Sequence, residues 1–150
     1  MQRAKPIRIL TGACFADSGP SGIGVVAVNA PATSVGSVCE QTFGDEDELH
    51  FRSILRALQL GKDLGVGSIL VLSPSDKIVK LVNREIALEP GGPLALLYIR
   101  IRALIYTYHR VEVRAVSKSR VRAARKLAVQ ASRAPVRSAQ AQGELFAAVG

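Results

Sequence analysis

The sequence predicts a mixed α/β domain, a five-stranded sheet of three antiparallel and two parallel strands flanked by helices. Three observations carry this expectation. Residues 6–42 hold three short apolar runs separated by turn formers. From Asp45 onward the apolar residues adopt the three- and four-residue spacing of a helix. Two later apolar runs, 68–72 and 110–116, each follow a helical segment. Strands joined through helices return to a sheet in parallel, whereas strands joined by tight turns pair antiparallel.

The elements follow in order. Residues 6–15 form a strand with a small-residue centre, and Asp17-Ser18-Gly19-Pro20-Ser21-Gly22 stacks the strongest turn formers behind it. Residues 23–29 and 34–42 are the second and third strands. Asp45-Glu46-Asp47-Glu48 supplies a cap and acidic residues for the positive end of a helix dipole. Phe51, Ile54, Leu55 and Leu58 then mark one buried helical face, closed by Gly65 and Gly67. Residues 68–72 are continuously apolar, as in a strand covered on both faces. A short helix spans 77–82 behind Ser75 or Asp76, and a longer one spans 94–109. Residues 110–116 alternate, with Val111, Val113 and Ala115 on one side. A basic amphipathic helix covers 119–131, so the folded domain is expected over 1–131 and a flexible tail over 132–150.

A chain of 150 residues can bury a core without staples. No apolar run approaches the roughly 20 residues of a membrane span, and no export signal is read. Cys14 and Cys39 are far apart and lack metal-ligand spacing, so buried reduced thiols in a cytoplasmic protein are expected. His50 and His109 fall in separate elements, and no metal or other cofactor is expected. The net charge is +8, and the cations concentrate after Tyr98, opposed there only by Glu112 and Glu144. Such asymmetry favours a polyanionic partner. Arg114, Lys118, Arg120, Arg122, Arg125 and Lys126 are the candidate nucleic-acid contacts.

Thr11-Gly12-Ala13-Cys14 followed by Ser18-Gly19-Pro20-Ser21-Gly22-Ile23-Gly24 resembles the opening of the ribonuclease H-like family, of the reverse-transcriptase type. Residues 50–58, Pro74-Ser75 with Ile78-Val79, and residues 118–128 are similar to its later segments, in the same order. The resemblance implies the family's fold and its two-metal phosphodiester chemistry, in which four carboxylates hold divalent cations. At the matching positions this chain has Thr11, His50, Pro74 and Arg125. Proline offers no ligand, and arginine repels a metal. The resemblance therefore implies a catalytically degenerate member without metal. The alternative is a divergent magnesium-dependent ribonuclease acting on RNA–DNA hybrids, with Glu48 or Asp76 as ligands in a shifted register.

Gln142-Gly143-Glu144-Leu145-Phe146 resembles the bacterial sliding-clamp-binding pentapeptide. The Gln142 amide would hydrogen-bond in a small pocket, and Leu145 and Phe146 would fill an apolar one. The expected protein is non-catalytic. It binds nucleic acid or a replication-repair partner, is tethered to the clamp through its tail, and is cytoplasmic and nucleoid-associated.

Overall fold

The computed structural model describes residues 6–29 and 36–135. The candidate clamp-binding residues Gln142, Leu145 and Phe146 lie outside them. The chain runs β1 (Ile7–Cys14), β2 (Ser21–Ala27), β3 (Ser37–Thr42), α1 (Glu46–Asp63), β4 (Ser68–Ser73), α2 (Asp76–Val82), α3 (Ala95–Tyr106), β5 (Arg110–Ala115), a 3-10 turn (Lys118–Val121) and α4 (Arg122–Arg133). The strands form one sheet in the order β3-β2-β1-β4-β5. β2 is antiparallel to both β1 and β3, and β4 is parallel to both β1 and β5. The mixed five-stranded sheet expected from the sequence is therefore present.

Alternation along the strands divides the core between two helical layers. Ile9, Val25, Val71 and Val113 point to one face and pack with Phe51, Ile54 and Leu58 of α1 and with residues of α2. α3 lies against α1 in that layer. Leu10 and Leu72 point to the other face and meet Val121 and Ala124, at the start of α4. α1 begins where Asp45 accepts the Glu48 amide at 2.8 Å, and α2 begins where Ser75 accepts the Ile78 amide at 3.3 Å. Both caps are residues the sequence marks as helix starts.

α4 lies unusually close to the sheet because three glycines face it. A Cβ on Gly12 would stand 2.6 Å from the Arg125 amide nitrogen, and one on Gly22 would stand 2.1 Å from the Ala128 carbonyl oxygen. A Cβ on Gly24 would stand 2.3 Å from the Ala124 carbonyl oxygen. These three glycines lie within β1 and β2 and are thus a docking surface for the last helix rather than turn formers.

Some sequence expectations need correction. Ser132 and Arg133 are helical, so α4 outruns the boundary expected at 131. The Gln41 amide group reaches past that boundary, donating to the Ala131 and Ala134 carbonyls at 3.1 and 2.7 Å. This edge-strand contact holds the helix end. α3 stops at Tyr106, because Thr107 caps the last turn and Tyr108 turns back into the core. The cysteines are free but not buried. Cys14 is half-buried, and Cys39 is exposed on the edge strand β3.

Candidate nucleic-acid interface

The parallel strands β1 and β4 end side by side, and the start of α1 and the 3-10 turn and α4 close over their ends. A cleft of about 300 Å³ forms there. Gly12 and Ala13 of β1 make its floor, Glu46, Asp47 and His50 of α1 one wall, and Pro74 and Ser75 another. Lys118, Val121 and Arg125 complete it.

Three of the four candidate degenerate positions, His50, Pro74 and Arg125, therefore converge on one cleft although 75 residues separate the first from the last. Thr11 does not border it. Its side chain is fully buried, and the hydroxyl donates to the Leu72 carbonyl at 2.9 Å across the β1–β4 seam. A hydroxyl suits that place because it can donate. An ionised carboxylate could only accept, and would face a carbonyl oxygen without a donor.

His50 is the titratable centre of the cleft. Burial lowers its pKa below the ordinary histidine value; Glu46 and Asp47 oppose this, and Lys118 adds to it. Its Nδ1 is shielded from solvent without a hydrogen-bond partner among the described residues. The unfolded chain therefore takes up the proton near pH 6.5, and the folded chain only at lower pH. Stability contributed by His50 is present above pH 6.5 and falls as the pH drops toward its folded value. Urea unfolding from pH 7.5 down to 5 is expected to show this loss, and His50→Gln is expected to flatten that part of the profile.

The residues present do not fit the two-magnesium ligand set implied by the fold. Magnesium takes hard oxygen ligands in near-octahedral geometry. Among the described residues the cleft offers only Glu46 and Asp47 as carboxylates, and Asp47 Oδ2 lies 2.6 Å from Lys77 Nζ. Lys118 and Arg125 bring positive charge to the same space. Among the described residues no group of three or more His, Cys, Asp or Glu side chains is placed to hold a metal. Glu48 and Asp76, the candidates for a shifted register, are absent from the cleft lining. Glu48 lies 3.6 Å from Arg52, and Asp76 lies 3.0 Å from Lys80.

Four of the six candidate nucleic-acid contacts, Lys118, Arg122, Arg125 and Lys126, form a connected surface. Arg125 borders the cleft and also a shallow hollow of about 350 Å³ on the outer side of α4, which it shares with Arg122 and Lys126. Arg120 is exposed on the 3-10 turn. None of Lys118, Arg120, Arg122, Arg125 and Lys126 has an ion-pair partner among the described residues. Arg114 stands apart on β5, paired with Glu112. Sequence reasoning preferred a helix start to a metal site for the acidic run 45–48, so it did not count Glu46 and Asp47 as site residues, nor Ser75 as lining. Their approach to Ala13 depends on how α1 crosses the sheet, which no local pattern encodes.

This architecture is the ribonuclease H fold. The chain is similar to RNase H1 from the halophilic archaeon Halobacterium salinarum, with a TM-score of 0.76 and 17% identity over 85% of this chain and 97% of that one. It is similar to the N-terminal RNase H domain of rv2228c from Mycobacterium tuberculosis, with a TM-score of 0.75 and 21% identity over 94% and 99% of the two chains. LC11-RNase H1, solved in complex with an RNA/DNA hybrid, gives 0.73 and 17% over 84% and 96%. No curated protein matches the sequence. The family model described as reverse transcriptase-like matches residues 10–131, and the chain belongs to that family.

Proposed function

We propose that this chain is a non-catalytic ribonuclease H-like protein that binds nucleic acid through the cleft and the outer side of α4. Its tail, through Gln142, Leu145 and Phe146, tethers it to a sliding clamp during replication or repair, which makes it cytoplasmic and nucleoid-associated. One observation carries the reading. Lys118 and Arg125, two cations without ion-pair partners among the described residues, occupy the cleft where the sequence resemblance implies metal-binding carboxylates. A cation there can contact a backbone phosphate directly, which binds the polymer without activating water. Structural relatives support the partner class. LC11-RNase H1 was solved with an RNA/DNA hybrid, and foamy viral protease-reverse transcriptase with a hybrid and with double-stranded DNA.

The alternative, a divergent metal-dependent ribonuclease, would have to rely on Glu46 and Asp47. Lys77 already engages Asp47 at 2.6 Å, and Lys118 and Arg125 compete with any cation for the cleft. These residues favour binding over cutting.

The test is a salt series of fluorescence-anisotropy titrations with a hybrid, a duplex and a single strand. Affinity is expected to fall linearly on a logarithmic salt scale. The variant Lys118→Glu/Arg125→Glu should weaken binding tenfold or more and reduce the slope by roughly 2, at about 0.7–0.9 per phosphate contact. Absence of binding to all three polymers at low ionic strength would overturn the nucleic-acid role. Wild type should retain a bacterial clamp in a pull-down. Equal retention by Gln142→Ala/Leu145→Ala/Phe146→Ala would overturn the tether.

A further inference from the structure

Two exposed phenylalanines give the interface a second kind of contact. Phe15 is 44% exposed and Phe43 is 61% exposed, whereas Phe51 is fully buried in the core. Phenylalanine is among the residues most often buried, and exposed apolar surface rimmed by polar residues marks interaction sites.

The sheet register places them together. Phe15 follows β1 directly, and Phe43 follows β3 directly. β1 and β3 both run antiparallel to β2, and their last residues, Cys14 and Thr42, pair with Gly22 and Ser21 at its start. Both phenylalanines therefore leave the same end of the sheet, two strand spacings apart, or roughly 10 Å between their backbones. β4 is parallel to β1, so its last residue, Ser73, and the cleft residue Pro74 lie at that same end. Phe15 comes two residues after Ala13, and Phe43 three residues before Glu46, both of which line the cleft. Neither ring lines the cleft itself; both leave the sheet end at which the cleft lies, on its β1–β3 side, while Lys118 and Arg125 line the cleft from the α4 side.

We propose that this surface takes single-stranded nucleic acid, with unpaired bases stacked on Phe15 and Phe43 and the backbone phosphates drawn to Lys118 and Arg125. The proposal rests on the nucleic-acid reading above and names its substrate class. Aromatic rings beside a cationic groove are the physical requirements for holding a single strand. Every base has a π-face to stack, and every nucleotide carries a phosphate. A duplex buries those faces in its own stack and presents phosphates and groove edges, which would leave the two rings without a partner. The charge balance agrees. With Asp47 engaged by Lys77, the remaining cleft charges are Lys118 and Arg125 against Glu46.

The decisive experiment uses the full chain with a fluorescein-labelled oligothymidylate and a duplex of equal length. Wild type should bind the single strand more tightly. Phe15→Ala and Phe43→Ala should each weaken it by about 5-fold or more, and together by about 30-fold or more, while duplex binding changes by less than about 2-fold. The chain has no tryptophan, so Phe43→Trp supplies a sole reporter at the stacking position. Its emission should be quenched by unlabelled oligothymidylate and unaffected by the duplex. Full retention of single-strand affinity by the double alanine variant, or equal losses for both polymers, would overturn the proposal and leave nucleic-acid binding standing. If wild type binds neither polymer, both readings fail.

Discussion

Replacing Gly24 with alanine is expected to destabilise the fold by roughly 3 kcal/mol, at the upper end of overpacking costs. The new Cβ would lie 2.3 Å from the Ala124 carbonyl oxygen and 2.7 Å from Leu127 Cβ. The nearest obstacle is helix backbone, so no rotamer change can relieve the contact, and α4 must lift from the sheet. For a chain of this size the loss corresponds to roughly 6–12 °C in thermal midpoint. The same movement would displace Arg125 and open the cleft, so nucleic-acid affinity should fall with stability. Gly19→Ala is the control, because a Cβ there would meet nothing within 4 Å. Denaturant unfolding of the two variants measures the difference. A Gly24→Ala cost below about 1 kcal/mol would mean that α4 does not dock on the glycine face.

Gly24 also shows how far the sequence could be read. The Asp17–Gly22 segment suggests a turn; the chain bends there, but β2 begins at Ser21, so Ser21 and Gly22 are strand residues. That Gly22 and Gly24 also admit a helix from about 100 residues later is a tertiary fact with no local signal. The strands and helices were readable because apolar spacing and caps are local. Asp45, Ser75 and the Phe51–Leu58 face all stand where their patterns place them. The site was readable only in part. His50, Pro74 and Arg125 were singled out through the order of motifs, and the fold brings them to one cleft. Thr11 belonged to the same set, yet it is sealed in the β1–β4 seam, because strand alternation and a carbonyl acceptor decide where its hydroxyl goes. Glu46 and Asp47 were read as helix-start acids in preference to site residues, since a helix-start acid and a site-lining acid have the same sequence signature. The exposure of Phe15 and Phe43 was equally hidden, because no local pattern says which residue at a strand end leaves the core.

The second large effect concerns metal. A site that bound magnesium at a hundredfold excess over its dissociation constant would stabilise the fold by about 2.7 kcal/mol, or several degrees. This chain is expected to show no such shift with magnesium or manganese. Arg125 and Lys118 supply the positive charge of the cleft, Asp47 is held by Lys77, and Pro74 contributes no side-chain ligand. The same residues predict the fate of a bound hybrid. Lys118 and Arg125 can attract phosphates, so a hybrid is expected to be bound and left uncut.

The deciding measurement is a single-turnover assay with excess protein and a hybrid labelled on its RNA strand, in magnesium and then in manganese. Binding is followed by anisotropy, and strand length by denaturing gel on the same samples. The hybrid should be bound and its RNA should remain full length in both metals. Metal-dependent shortening of the RNA, abolished by EDTA and by Glu46→Gln/Asp47→Asn, would show instead that the cleft is a working nuclease centre.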